Sequence, residues 1–366
     1  MKDIVVVGAG KIGRIVARML AETGDYRVTL ADRDETALAR AVQGSPVEAA
    51  RADIGDAAAL GDLLAGRFAV ISAAPFHLTG AVAEAAAAAG VHYLDLTEDV
   101  ATTRRVKQLA DGAATAFIPQ CGLAPGFVSI VAHDLASGFE SLDEVKLRVG
   151  ALPQFPTNAL NYNLTWSTDG VINEYIEPCE AIRDGRLVQA AALEEREEFS
   201  LDGVRYEAFN TSGGLGTLCE TYQGRVRALN YRSIRYPGHR AIMKALLDDL
   251  RLRERREVLK DILEQSVPTT MQDVVIVFVT VSGRKEGLLT QETFAKKIYA
   301  ERVNGHVRSA IQITTASGVC AVLDLLAEGR LKQAGFVRQE DVRLADFLEN
   351  RFGRAYARGE DARAAA

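Results

Sequence analysis

Cysteine, tryptophan, methionine and histidine are all scarce in this sequence of 366 residues, at four, one, four and five copies. Cys121, Cys179, Cys219 and Cys320 lie far apart and form no CxxC pair. That excludes a zinc-ribbon pattern and fits reduced thiols better than a disulfide framework. His77, His92, His133, His239 and His306 show no HExxH spacing, so no metal is expected. A formal charge of −6 without a basic stripe argues against nucleic acid as a partner. The longest apolar run, Asp273 to Ser282, suits a strand. It falls well short of the ~20 apolar residues of a membrane span. Met1-Lys2-Asp3 passes almost directly into a strand pattern, without a basic region and cleavage site. A cytoplasmic location, away from any membrane, is therefore expected.

What is present is a composition 48% hydrophobic and 25% charged, in a chain too long for one ordinary core. The first third alternates short β-branched runs with alanine-rich helical stretches. Strands are expected at Ile4–Val7, Val28–Ala31, Val47–Ala52, Ala69–Ser72, His92–Leu96 and Ala116–Pro119. Between the first two, Ile12, Ile15, Val16, Met19 and Leu20 fall on one face of a helix. Such alternation predicts a parallel sheet with helices on both faces. After Gly126 the texture changes. Leu147–Ala151, Asn163–Trp166, Glu180–Arg183, Leu187–Gln189, Val274–Val281 and Arg308–Thr314 are expected to be strands of a largely antiparallel sheet. Asp184-Gly185 supplies a hairpin turn. Helices are expected near Gly238–Leu250 and Arg255–Gln265, and Gly318–Glu328 as a helix returning to the first domain.

Gly8-Ala9-Gly10-Lys11-Ile12-Gly13 is a GxGxxG placed directly after a strand and opening a helix. In a Rossmann unit the first glycine makes the tight turn, the second admits the pyrophosphate and the third brings helix and strand together. The helix N-terminus offers free N–H groups to the phosphates. Asp32 ends the second strand 22 positions after Gly10, where an acid accepts the adenosine ribose hydroxyls and repels a 2′-phosphate. NAD is thus favoured over NADP, although the adjacent Arg33 is suited to a 2′-phosphate. Asp53-Ile54 after the third strand are placed to flank the adenine. Ala73-Ala74-Pro75, after the fourth, should pass near the ribose and nicotinamide. Thr97 follows the fifth strand on the same edge.

Three further segments carry a resemblance: Gln120-Cys121-Gly122-Leu123-Ala124-Pro125-Gly126, Asn173-Glu174-Tyr175 and Ile234-Arg235-Tyr236-Pro237-Gly238-His239. With Leu94-Asp95-Leu96-Thr97-Glu98-Asp99, they resemble the saccharopine dehydrogenase family, and within it most closely the lysine 6-dehydrogenases. The resemblance runs from the first strand to about Gly335. It implies an NAD-dependent homo-oligomer, dimer or tetramer, with a catalytic domain inserted into a Rossmann unit. The expected division is 1–124 completed by returning helices over 315–357, an α+β substrate and oligomerisation domain over 125–314, and a flexible tail over 358–366. The saccharopine reductases of this family usually carry an acid within the GLxPG turn, where this sequence has Ala124. They also tend to carry a cysteine around Val149–Ala151, where none occurs, and both departures argue against saccharopine as substrate.

The chemistry so implied names residues. Asp95, at the C-terminal end of the fifth strand, is a candidate catalytic residue that pairs with a substrate ammonium or takes its proton through water; equally, Asp95, Glu98 and Asp99 suit the cap of the next helix. Cys121 is a candidate lining residue of the nicotinamide crevice, or a buried small hydrophobe. Arg235 offers a planar fork for an α-carboxylate, and His239 can move a proton near neutral pH. Tyr236, in the turn between them, and Asn163 are candidate substrate-binding residues, and Asn163, Trp166 and Glu174 are candidate lining residues of the pocket. The expected reaction is NAD-dependent oxidative deamination of L-lysine at its ε-carbon. The alternatives are oxidation of saccharopine or another secondary amine, and a non-catalytic NAD-binding regulator.

Overall fold

The computed structural model describes residues 1–303 and 306–357, which form two compact units. The first comprises Met1–Ile130 and Thr314–Ala357, the second Val131–Ile313. The chain thus leaves the first unit six residues later than expected and re-enters it one residue earlier. The expected tail over 358–366 lies outside the described residues.

The first unit is built on β1 (Lys2–Val7), β2 (Tyr26–Asp32), β3 (Glu48–Arg51), β4 (Ala69–Ser72), β5 (His92–Asp95) and β6 (Ala116–Ile118). Every expected strand is present. A two-residue strand, Gly335–Phe336, pairs in parallel with β6 and completes a seven-stranded sheet among the described residues. The order is Gly335–Phe336, β6, β5, β4, β1, β2, β3, all parallel. Val5, Val7, Val70, Tyr93 and Phe117 bury one sheet face against Val82, Ala83 and Ala86 of the helix Phe76–Ala89. Helices start where the sequence supplies caps. The Asp34 carboxylate accepts from Thr36 and Ala37 N–H, and that of Asp56 from Ala58 and Ala59 N–H.

The second unit contains β7 (Ser141–Pro153), β8 (Cys179–Arg183), β9 (Arg186–Ala190), β10 (Glu197–Leu201), β11 (Val204–Asn210), β12 (Val226–Arg235), β13 (Asp273–Lys285) and β14 (Leu288–Tyr299). They pair in the order β10, β11, β12, β7, β13, β14, with β8 joining β12 and β9 joining β8. All pairs are antiparallel except β7 with β12. Beside the sheet, Tyr162, Val171, Ile172, Tyr175, Phe209, Met243, Leu259 and Leu263 form an apolar cluster.

Two expected strands are corrected. Asn163–Trp166 is an extended loop with a single bridge, Leu164 to Thr269. In place of an Arg308–Thr314 strand, a short one ends at Arg308 and the helix Ala310–Ala327 begins. The Asp273 carboxylate accepts from the N–H groups of both Ala310 and Ile311, satisfying two orphan donors of the first helical turn. This helix is long and apolar enough by composition to cross a membrane, but 89% of it is buried inside the protein, as for a core helix.

Candidate active site

In the first unit, the residues expected to hold a dinucleotide all fall at or just past the carboxyl ends of parallel strands, where open α/β sheets bind ligands. Gly8 has φ +107°, and a Cβ there would lie 2.7 Å from the Ala73 carbonyl oxygen. A Cβ on Gly13 would sit 1.9 Å from the Gly8 carbonyl oxygen. These two glycines are therefore required by the protein's own packing. Gly10 differs: a Cβ there meets nothing within 4 Å. Its exposed backbone leaves room for something other than protein to approach, which is what a pyrophosphate needs.

The Asp32 carboxylate faces this loop. Its Oδ2 accepts from Ala9 N–H at 2.7 Å and its Oδ1 from Asp34 N–H at 3.0 Å. Both oxygens keep a second lone pair for ribose hydroxyls. Lys11 and Arg33 are exposed, and Ile12 is half-buried at the start of the first helix. Asp53 is exposed and accepts from Gly55 N–H at 2.9 Å. Ile54 packs against the sheet core. Ala73 and Ala74 are half-buried beside the glycine loop, and Pro75 precedes the helix Phe76–Ala89. Thr97 is buried, and its hydroxyl accepts from Asp99 N–H.

Asp95 is fully buried. It accepts from Tyr93 Oη at 2.7 Å, Gln120 N–H at 2.8 Å and Thr97 N–H at 3.0 Å. Burial pushes its carboxyl up to about 6 against these hydrogen bonds. These bonds tie β5 to the loop after β6. Cys121 is also buried; its Sγ lies 3.0 Å from the Ile118 carbonyl and accepts from Gln339 Nε2 at 3.3 Å. Burial, reinforced by the Asp95 charge, holds this thiol well above its usual range, so it is a thiol rather than a thiolate at neutral pH. Glu98, by its sequence position only a capping type, is half-buried, and burial, with the Asp99 and Asp95 charges adding, raises it to about 7. Asp99, not Glu98, caps the following helix, through Thr102 N–H.

In the second unit, Arg235 ends β12 and His239 opens a short helix after the Pro237-Gly238 turn. Both are buried, and Tyr175 lies between them. Arg235 Nε donates to Tyr175 Oη at 2.8 Å, and Tyr175 Oη lies 3.0 Å from His239 Nε2. His239 Nδ1 is 2.9 Å from the Leu160 carbonyl oxygen. Burial, and then the Arg235 charge, lowers His239 to about 3, so the ring is neutral at physiological pH. The guanidinium carbon stands 5.2 Å from the Tyr162 ring centre and 5.7 Å from that of Tyr175. Glu174 Oε2 is 4.0 Å from Arg235 Nη2, beyond hydrogen-bond reach. Tyr162 Oη and Asn163 Oδ1 are buried without a hydrogen-bond partner among the described residues. Tyr236 belongs elsewhere: it donates to the Pro153 carbonyl at 2.9 Å and stacks on Tyr206. Trp166 is half-buried at the edge of the apolar cluster.

A GxGxxG loop with an open central glycine, facing an acid at the end of β2, defines a dinucleotide-binding unit of the Rossmann class. Comparison narrows this. Residues 4–117 match the model of the saccharopine dehydrogenase NADP-binding domain, and residues 122–353 that of the saccharopine dehydrogenase C-terminal domain. The chain belongs to the saccharopine dehydrogenase family, and it is an oxidoreductase fold with a site for NAD(P). The mitochondrial alpha-aminoadipic semialdehyde synthase of Bos taurus is 24% identical over 203 residues, 52% of this chain and 21% of that protein. The chain thus matches about a fifth of that relative's length. Among solved structures, the L-Glu-forming saccharopine dehydrogenase of Saccharomyces cerevisiae is similar with a TM-score of 0.78 at 16% identity, covering 97% of this chain and 96% of that one. Homospermidine synthase of Legionella pneumophila, in complex with NAD, gives 0.69 at 12% identity, covering 97% and 89%. At such identities these two likenesses establish the fold alone.

Proposed function

We propose that this protein oxidises the ε-amino carbon of L-lysine with NAD, giving allysine that closes to 1-piperideine-6-carboxylate. The observation that carries the dinucleotide half is the open space at Gly10 beside the Asp32 carboxylate. An anion there repels a 2′-phosphate, which supports NAD over the NADP in the family model's description. The substrate half rests on Arg235, a buried guanidinium without a hydrogen-bonded carboxylate partner, the group that best grips an α-carboxylate.

Bound NAD would accept a hydride from the carbon that carries the amine. The residues must supply a neutral amine, because its lone pair forms the C=N bond as hydride leaves. A lysine ammonium with a pKa of about 10.4 is scarcely deprotonated at pH 7, so the site must remove a proton. Asp95 is enclosed and His239 has both ring nitrogens engaged. Glu98, half-buried just past the carboxyl end of β5 with its carboxyl raised to about 7, takes the proton in this reading. Water then adds to the imine, ammonia leaves, and the aldehyde condenses with the α-amine with loss of water.

Saccharopine, a secondary amine, is the second reading, favoured by the family's name. Ala124 and the absence of cysteine over residues 149–151 speak against it. Initial rates with L-lysine and with saccharopine, at equal NAD, separate the two. Turnover of saccharopine alone would overturn the lysine assignment. We further propose a homo-oligomer located in the cytoplasm, testable by light scattering and cell fractionation.

A further inference from the structure

His239 and Tyr175 have the composition of an acid–base pair, but their hydrogen bonds give them another task. A carbonyl oxygen only accepts, so the 2.9 Å contact to Leu160 O places the imidazole proton on His239 Nδ1. In a neutral ring Nε2 is then an acceptor, and the proton in its 3.0 Å contact comes from Tyr175 Oη. The tyrosine oxygen in turn accepts from Arg235 Nε at 2.8 Å. The chain of donors therefore runs one way: Arg235 to Tyr175 to His239 to the Leu160 carbonyl. Neither ring nitrogen of His239 is left to exchange a proton with a ligand.

The Arg235 guanidinium is held at two of its three nitrogens. Nε is bound to Tyr175, and Nη1 donates to the Ile234 carbonyl at 2.8 Å. The rings of Tyr162 and Tyr175 hold the plane. Nη2 is left with Glu174 at 4.0 Å, too far for a hydrogen bond. Tyr162, 2% exposed, has its ring centre 5.2 Å from the guanidinium carbon, and its hydroxyl has no hydrogen-bond partner among the described residues. A buried guanidinium whose ion pair with Glu174 is not hydrogen-bonded, and a buried hydroxyl without a hydrogen bond, can together receive a further acceptor-rich anion.

We propose that Tyr175 is the positioning residue of a carboxylate site in the second unit, setting the Arg235 fork so that Nη2, with Tyr162 Oη, receives the carboxylate of an amino acid. The ligand class is a planar carboxylate, which accepts two roughly parallel donors. The inference rests on the reading that Arg235 binds the substrate's carboxylate, and it removes His239 from proton transfer.

The test is calorimetric titration of the full chain with L-lysine, saccharopine and 1,5-diaminopentane, alongside KM and kcat where turnover occurs. Tyr175→Phe removes the relay oxygen and keeps the ring. Affinity for the two carboxylate ligands should fall about tenfold, the size of a lost charge-assisted hydrogen bond, and that for the diamine less than twofold. Tyr162→Phe deletes a hydroxyl without a hydrogen bond of normal geometry and keeps the ring, and it should show the same split, with circular dichroism confirming the fold. Equal losses for all three ligands, or no change in either variant, would overturn the proposal, as would a wild-type protein that binds no carboxylate ligand. Carboxylate binding with this split but without lysine oxidation would sustain the site and overturn the proposed reaction. Lysine oxidation without the split would do the reverse.

Discussion

The backbone N–H of Ala9 donates to Asp32 Oδ2 at 2.7 Å, so the glycine loop and the acid at the end of β2 are locked as one element. The loop proposed to approach the pyrophosphate and the carboxylate proposed to read the ribose thus hold each other in register. Asp32→Ala should weaken NAD binding roughly tenfold or more and narrow the gap to NADP, because the group that repels a 2′-phosphate is gone. Fluorescence titration with NADH and NADPH measures both. An unchanged ratio of affinities would contradict the assigned role.

Arg235→Ala should raise KM for L-lysine by roughly 10- to 100-fold, the range of a charge-assisted pair. For a diamine without a carboxylate the change should be small. Comparing the two substrates in one variant separates carboxylate recognition from general damage, since damage would raise both.

How much of the fold and site is legible in the sequence depends on the range of the interactions. The GxGxxG loop, Asp32 and six strands of the first unit are written locally, in glycine spacing and β-branched runs, and the sequence alone suffices to place them. Gly335–Phe336 escapes such a reading because two residues carry no periodicity. The alternation of Ile311 and Ile313 resembles a strand. The helix there is started by Asp273, far back in the sequence, whose carboxylate caps Ala310 and Ile311. Tyr175 stands in a recognisable segment, Asn173-Glu174-Tyr175, but its partners lie 60 and 64 residues away. Glu98 has the sequence position of a capping acid, and only its surroundings distinguish it from Asp99.

Asp273 should matter for stability. Asp273→Ala removes the acceptor for two buried N–H groups and should lower stability by roughly 1–2 kcal/mol, the usual cost of losing a strong N-cap. Thermal unfolding followed by circular dichroism tests this. A melting temperature equal to wild type would show that the cap is dispensable.

Glu98 predicts a pH dependence with a definite sign. Its folded pKa is about 7 against an ordinary value of 4.5, so the native state binds more protons than the unfolded chain between these values. Its contribution is fully present below pH 4.5 and lost as pH rises through about 7. Glu98→Gln, which mimics the protonated form, should flatten that part of the stability profile. If Glu98 also takes the amine proton, the same variant should lose the rise in kcat/KM around neutral pH. A stability profile parallel to wild type would remove Glu98 from the account.

The central claim is tested most directly by NADH absorbance at pH 7 and pH 10, with L-lysine, with saccharopine and with no substrate. More of the free ε-amine is neutral at the higher pH. The account predicts lysine-dependent NADH formation that is faster at pH 10, with little from saccharopine. Silence with lysine alongside turnover of saccharopine would contradict it.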